Sequence, residues 1–252
     1  MMAELVTRKD EAGCATLTLN RPDRLNALNV ALFVELEAHI DAIAAATDKV
    51  GLVILRGAGK CFSAGHDLND IAAGEKPPRP NYQAYVIEKL AMLPQPVIAA
   101  VHGHCYTGAL ELALAADLIV CSDNAKFADT HARWALVPVW GMSQRLPRRI
   151  GQSKAAEMML TCRTYTGQQA LAMGLANTCT ADAAFESELD ALVKSIVANS
   201  WHSHRANKAL LVETDGLPLA AGLSQEIARS RGRGADMAER ITAFQNKSAK
   251  IS

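Results

Sequence analysis

The chain lacks most of the features that would settle its role at a glance. Its 26 Lys and Arg balance 26 Asp and Glu over 252 residues, so there is no net charge. No basic surplus speaks for nucleic acid, and no run of like charge speaks for a solvated tail. The six cysteines (Cys14, Cys61, Cys105, Cys121, Cys162, Cys179) are scattered and contain no C-x-x-C pair. That fits reduced thiols in a cytosolic protein better than a disulfide framework. No apolar run is long enough to span a membrane. The opening MMAELVTRKDEAG has no apolar signal-peptide core, and it lacks the Arg- and Ser-rich, acid-poor character of a transit peptide. A cytoplasmic location without membrane or nucleic-acid partners is expected. Repeats and low-complexity segments are missing too.

Several catalytic signatures are also absent. GAGKCFSAG (57–65) is rich in glycine, but it is not G-x-G-x-x-G. A P-loop would need glycine where Ile54 sits and Ser or Thr where Cys61 sits. No G-x-S-x-G marks a hydrolase nucleophile. HGHC (102–105) has metal-like composition, and His102 and His104 would share a face on a strand. No further His/Cys pair at zinc spacing accompanies them, so no metal site is expected.

What is present is a large apolar fraction, 50% of residues, enough for a sizeable core. CATLTLN (14–20) alternates like a strand, and RPDRLNALN breaks it. Asn29 is placed to cap a helix from about 30 to 46, with Phe33, Leu36, Ile40 and Ile43 at helical spacing. VGLVILRG (50–57) and PVIAAVHGH (96–104) read as buried strands. EKPPRP (75–80) reads as an exposed break, and residues 82–92 as a helix. LIVCSD (118–123) and AKFADTH (125–131) read as strands. Strand and helix alternate to about residue 140, the pattern of α/β architecture. After about residue 143 the pattern predicts helices alone, and their apolar stripes require the core or another subunit as partner.

TGALELALAAD (107–117) is apolar on every side except for Glu111. A buried carboxylate is costly unless it is paired, hydrogen-bonded or protonated. A structural reading makes Gly108 the N-cap and Glu111 a residue bonding back to free amides of its own helix. A functional reading makes it an acid in a cleft. The stretch alone leaves both open.

VILRGAGKCFSAGHDL and PVIAAVHGHCYTGALE share one shape: a buried strand, a loop of small residues and a helix start. Small residues let backbone amides approach a ligand closely. Two such amides converging on a point would make an oxyanion hole, strengthened by a helix N-terminus.

In order and spacing, LNRPDRLNALN, GKCFSAGHDL, PVIAAVHGHCYTGALELALAADLIV and AKFADTHARWALVPVWGMSQRLPRRIG resemble the enoyl-CoA hydratase/isomerase (crotonase) superfamily. LTCRTYTGQQALAMGLAN and RITAFQNK also fit, so the resemblance spans about residues 4 to 248. It implies an α/β crotonase-type spiral of β-β-α turns with a C-terminal helical trimerisation region. Residues 1–190 would form the core with the acyl-CoA site. Residues 191–252 would form the helical region, serving oligomerisation and covering the active site. The assembly would be a homotrimer or a dimer of trimers.

The resemblance also implies an acyl-CoA substrate, with coenzyme A as part of that substrate and no separate cofactor. The thioester oxygen would be held by the backbone amides of His66 and Gly108. Coenzyme A would lie against Arg24, Leu25, Ala64, Asp67 and Leu68, with Phe244 and Lys247 reaching it from near the end of the chain. Trp134, Leu136, Val139 and Trp140 would either narrow the acyl pocket or pack in the core; the sequence leaves both open. Glu111 falls where hydratases of the family keep one of two catalytic glutamates, and His131 falls where they keep the other. His131 can donate and accept protons near neutrality. Asp129 could share a strand face with it, but Asp-x-His is too common a pattern to assign a role. The family's Gly-Gly-Gly before the helix acid is Thr107-Gly108-Ala109 here. The expected activity is hydration of a 2-enoyl-CoA. Double-bond isomerisation, another crotonase reaction, or acyl-CoA binding without catalysis are the alternatives.

Overall fold

A computed structural model describes residues 4–248. β1 (Val6–Glu11) and β2 (Cys14–Leu19) form an antiparallel hairpin with Val6 opposite Leu19. At its turn Gly13 has φ 80° and a Cβ there would strike the Trp201 ring at 2.5 Å, so only glycine fits. α1 (Val30–Ala44) follows, and the Asn29 side chain accepts from Leu32 N as its N-cap. Leu32, Phe33, Leu36, Ile40 and Ile43 form its buried stripe.

The chain continues through β3 (Leu52–Gly57), α2 (Leu68–Ala72), α3 (Tyr82–Ala91), β4 (Val97–Val101), β5 (His104–Tyr106) and α4 (Gly108–Ala113). Next come β6 (Leu118–Ser122), β7 (Lys126–Ala128), α5 (Met142–Ile150), α6 (Gln152–Thr161), β8 (Tyr165–Thr166), α7 (Gly167–Ala172) and β9 (Thr178–Thr180). Four helices close the described chain: α8 (Phe185–Val197), α9 (Trp201–Glu213), α10 (Leu219–Ala228) and α11 (Met237–Ser248). None of the described helices is long and apolar enough to cross a membrane.

The strands make two sheets, in the orders β1-β2-β3-β4-β6-β9 and β5-β7-β8. From β2 to β9 the larger sheet is parallel. β4 passes directly to β5, and β6 to β7, so each turn contributes one strand to each sheet and then a helix: a spiral of β-β-α turns. Both faces of the larger sheet are covered, which explains the continuous apolar runs. Val53 and Leu55 face the main core with α1 and α3, while Leu52, Ile54, Ile98 and Val120 face Phe185 and Leu189 of α8.

Three expectations need correction. Strands do not stop at residue 143, because β8 pairs antiparallel with β7 and β9 extends the larger sheet beside β6. Their two and three residues are too short to show a period in the sequence. β7 ends at Ala128, and His131 opens a 3-10 turn, His131–Trp134, rather than closing a strand. His102 lies beyond β4, so it does not share a strand with His104. No described residue after Thr164 lines the cavity set out below. The division drawn between residues 190 and 191 falls inside α8.

α9 is anchored to the core by Lys208, whose Nζ donates to Asp117 Oδ2 at 2.8 Å and to the Gln95 carbonyl at 3.0 Å. α10 buries none of its residues.

Candidate active site

Adjacent parallel strands β3 and β4 release their loops at the same edge of the larger sheet. The two loops then pair with each other: Phe62 N donates to His102 O at 2.7 Å and Ser63 N to His104 O at 2.9 Å. The broken segment after β2 supports the first loop from its other side. Ala64 N donates to Leu25 O, Leu28 N to Gly65 O, and Asp67 N to Leu28 O. Asn26 is fully buried, and its amide donates to the carbonyls of Ala58 and Cys61, both at 2.8 Å.

These bonds set His66 beside Gly108. A Cβ built on Gly108 would stand 3.4 Å from His66 N, and one on Gly65 would stand 3.6 Å from Gly108 N. Neither the His66 nor the Gly108 amide has an acceptor among the described residues. Gly108 is the first residue of α4, where amides have no intrahelical partner. Two N–H groups side by side without acceptors, one of them at a helix start, are an arrangement that can donate to a single oxygen atom.

Thr107 turns that amide into the cavity by adopting φ 51° and ψ −110°, a left-handed backbone that favours glycine. Its hydroxyl compensates, accepting from Thr130 N at 3.0 Å and lying 2.5 Å from Thr130 Oγ1. This accounts for threonine at the first position of the Thr107-Gly108-Ala109 run.

Glu111 is 1% exposed. Its Oε1 accepts from Trp140 N at 2.9 Å and Met142 N at 3.0 Å. Met142 opens α5, so the carboxylate sits at the N-terminus of a helix other than its own. The capping-box reading is therefore overturned: Thr107 is the N-cap of α4, and Glu111 does not bond back to that helix's amides. Burial is the largest influence on Glu111 and raises its pKa. The Met142 amide, the His131 charge and the Trp140 amide oppose it.

Oε2 of Glu111 lies 3.7 Å from Nε2 of His131, too long for a direct hydrogen bond and open to a shared water. On the other side of that ring, Nδ1 lies 2.6 Å from Oδ1 of the buried Asp129. Burial works against the imidazolium. The Asp129 hydrogen bond and the charges of Asp129 and Glu111 outweigh it, and the His131 pKa is raised.

A cavity of about 680 Å3 joins these groups. His66, Gly108, Glu111 and His131 line it, as do Trp134, Leu136, Val139, Trp140, Ala64 and Leu68. The structure thus gathers both acid–base candidates, both amides, the four acyl-pocket residues and two of the seven coenzyme A candidates at one cavity. Asp67 stands just outside it, with its carboxylate paired to Arg21 at 3.1 Å and capping α2. Arg24 and Leu25 are exposed beside the first loop, while Phe244 is 70% exposed on α11 and does not line the cavity. The side chain of Lys247 lies outside the described residues.

Sequence reasoning missed Thr130, left Asp129 unassigned, and read Glu75 as part of an exposed break. Glu75 instead lines the cavity with Gln83, and its side chain is only 18% exposed. No local signal marks Thr130 and Glu75, whose partners Thr107, His66 and Gln83 lie outside their own segments, and the local Asp129–His131 contact was hidden by reading that segment as a strand.

The family model for enoyl-CoA hydratase/isomerase matches residues 9–249. The chain is 34% identical to the 2,3-dehydroadipyl-CoA hydratase of Escherichia coli over 255 residues, covering 98% of this chain and 97% of that protein. It is 30% identical to the 1,2-epoxyphenylacetyl-CoA isomerase of the same organism, with the same coverage. The crystal structure of an enoyl-CoA hydratase from Bacillus anthracis superposes with a TM-score of 0.90 at 30% identity, covering 96% of each chain.

Proposed function

The chain belongs to the enoyl-CoA hydratase/isomerase family, and from that premise we propose that it hydrates a 2-enoyl-CoA, with Glu111 and His131 as the acid–base pair. One observation carries the reading: Oε2 of Glu111 and Nε2 of His131 approach to 3.7 Å beside two amides that have no acceptor of their own. The thioester oxygen accepts from the His66 and Gly108 amides, which polarise the conjugated double bond. Water held by Glu111 attacks C3 while the Glu111 carboxylate takes its proton. The electrons move to the thioester oxygen as an enolate, which the two amides stabilise. His131, as imidazolium, then protonates C2 from Nε2. One hydroxyl and one proton have been added, and the proton left on Glu111 returns to His131 through the next water. Asp129 does not touch substrate in this scheme. It positions His131 by holding Nδ1 and keeps Nε2 directed at Glu111.

Coenzyme A rests on Ala64 and Leu68, with Arg24, Leu25 and Asp67 on the outer side of the same loop. Phe244, exposed on α11, reaches it from a neighbouring subunit. The protein works as a trimer or a pair of trimers. Support for this comes from Leu219, Leu223 and Ile227 of α10, which are 79%, 53% and 80% exposed along one helical face.

Double-bond isomerisation is the second reading, favoured by the 30% identity to a Delta(3,5)-Delta(2,4)-dienoyl-CoA isomerase of Arabidopsis thaliana and by the fact that Glu111 alone could carry a proton between carbons. Incubation with crotonyl-CoA decides between them. Formation of 3-hydroxybutyryl-CoA supports hydration. Shifted double bonds in longer enoyl-CoAs without hydration support the isomerase, and binding without turnover would leave an acyl-CoA-binding protein.

A further inference from the structure

Three polar side chains from three separate elements meet in the cavity away from the Glu111–His131 pair. The His66 imidazole runs on from its amide into the cavity and stacks on Trp140, with ring centroids 4.6 Å apart. Its Nε2 lies 2.7 Å from Oε1 of Glu75, which follows α2. The same Glu75 oxygen accepts from Nε2 of Gln83, in the first turn of α3, at 2.8 Å.

The cluster does not satisfy itself. Oε2 of Glu75 is buried without a hydrogen-bond partner, and Nε2 of His66, although close to Glu75, is not aligned to bond with it. A buried polar atom left unpaired is destabilising, so a native site that keeps Oε2 of Glu75 without a partner calls for an explanation. The neighbouring wall is apolar, with Ile71 and Ala84 among its residues. A plain alkyl chain laid against His66 and Glu75 would cover their polar atoms and bond none of them. A hydroxyl can donate to the open Glu75 oxygen and accept from His66 or from the Gln83 amide. A carboxylate would meet Glu75 as a like charge, and an ammonium would carry a much larger desolvation cost than a hydroxyl. His66 ties the cluster to the reacting centre: its backbone amide belongs to the proposed oxyanion pair and its side chain reaches Glu75, so the cluster stands within about one side-chain length of the place proposed for the thioester oxygen, in the same cavity as Glu111 and His131.

We propose that the substrate's acyl group carries an uncharged hydroxyl, and that His66, Glu75 and Gln83 bind it. This rests on the acyl-CoA reading above and narrows its substrate class.

The test compares kcat/KM for trans-2-hexenoyl-CoA, its ω-hydroxy counterpart and its ω-carboxy counterpart, in the wild type and in Glu75→Gln and Glu75→Leu. The wild type is expected to favour the ω-hydroxy over the plain substrate by at least about tenfold, because a site that bonds a hydroxyl discriminates strongly against its absence. The ω-carboxy substrate should fall below both. Glu75→Leu should bring the hydroxy-to-plain ratio close to one, and Glu75→Gln should lower it partway. Because the ratio is taken within each variant, a reduced folded fraction cancels. A wild type that prefers the plain or the ω-carboxy chain overturns the inference, as does a ratio that survives both substitutions. If crotonyl-CoA is turned over normally in those cases, the acyl-CoA reading stands. If neither crotonyl-CoA nor any of the three is bound, that reading fails and takes this inference with it.

Discussion

Asp129 holds His131 twice through one oxygen: Oδ1 accepts from the His131 backbone amide at 3.0 Å and lies 2.6 Å from its Nδ1. The contact raises the imidazole pKa against the effect of burial. If protonated His131 delivers the C2 proton, activity declines as pH rises through that pKa. Asp129→Asn removes the charge that raises it, so the alkaline limb of the kcat profile should move to lower pH. His131→Gln should abolish that limb and cost on the order of a hundredfold in turnover. Profiles that coincide with wild type in both variants would make His131 a spectator.

Glu111→Gln should lower kcat by roughly a hundredfold or more, the range of a general base. The amide oxygen of Gln can still accept from Trp140 N and Met142 N, so the fold should persist. A stability effect accompanies it. The Glu111 pKa is raised in the folded protein, so the favourable protonated form is present at acid pH and lost as pH rises through the folded pKa. A neutral isostere avoids that loss. The variant should therefore melt above wild type at neutral pH, by a margin that shrinks on acidification. Equal melting temperatures throughout would contradict the account.

Gly108→Ala should disable the oxyanion site. The added methyl would stand 2.5 Å from the Trp140 ring and 3.4 Å from His66 N, where the thioester oxygen must sit. Loss of one such donor typically costs about 10²–10³ in kcat. Steady-state kinetics with crotonyl-CoA would show this, and retention of full activity would move the oxyanion site elsewhere.

Thr107 offers a separation of strain from bonding. Thr107→Ala keeps a side chain at φ 51° but loses the Thr130 contacts, whereas Thr107→Gly loses the contacts and relieves the strain. Thr107→Ala should be the less stable by about 1 kcal/mol. Chemical denaturation measures the order, and the reverse order would remove strain from the explanation.

Ile227→Glu on α10 should break the proposed assembly, because a charge would replace a side chain that is 80% exposed on the apolar face. Sedimentation velocity should show a smaller species. A wild type that is already monomeric at micromolar concentration would refute the assembly itself.

The sequence by itself determined the periodic and the glycine-marked parts of the molecule. The stripe of α1, the Asn29 cap, the buried strands β3 and β4 and the two loop-to-helix junctions are local consequences of side-chain spacing and backbone freedom, so they could be read along the chain. So could Glu111, because one carboxylate in an apolar helix is conspicuous. Tertiary structure alone decided what that carboxylate does. Its bonds go to Trp140 and Met142, 29 and 31 residues away, and nothing in TGALELALAAD specifies them. It also decided that Asp129 grips His131 through a 3-10 turn, where strand alternation pointed to a shared face. It drew Glu75 out of a proline-rich break into the cavity wall, and it placed the two- and three-residue strands β8 and β9. The Asp129–His131 contact is local, spanning two residues, and was hidden because the segment read as a strand; the other features share one physical reason. These features arise where segments distant in sequence are packed together and buried polar groups must find partners across the fold, and spacing along one segment carries no record of those partners.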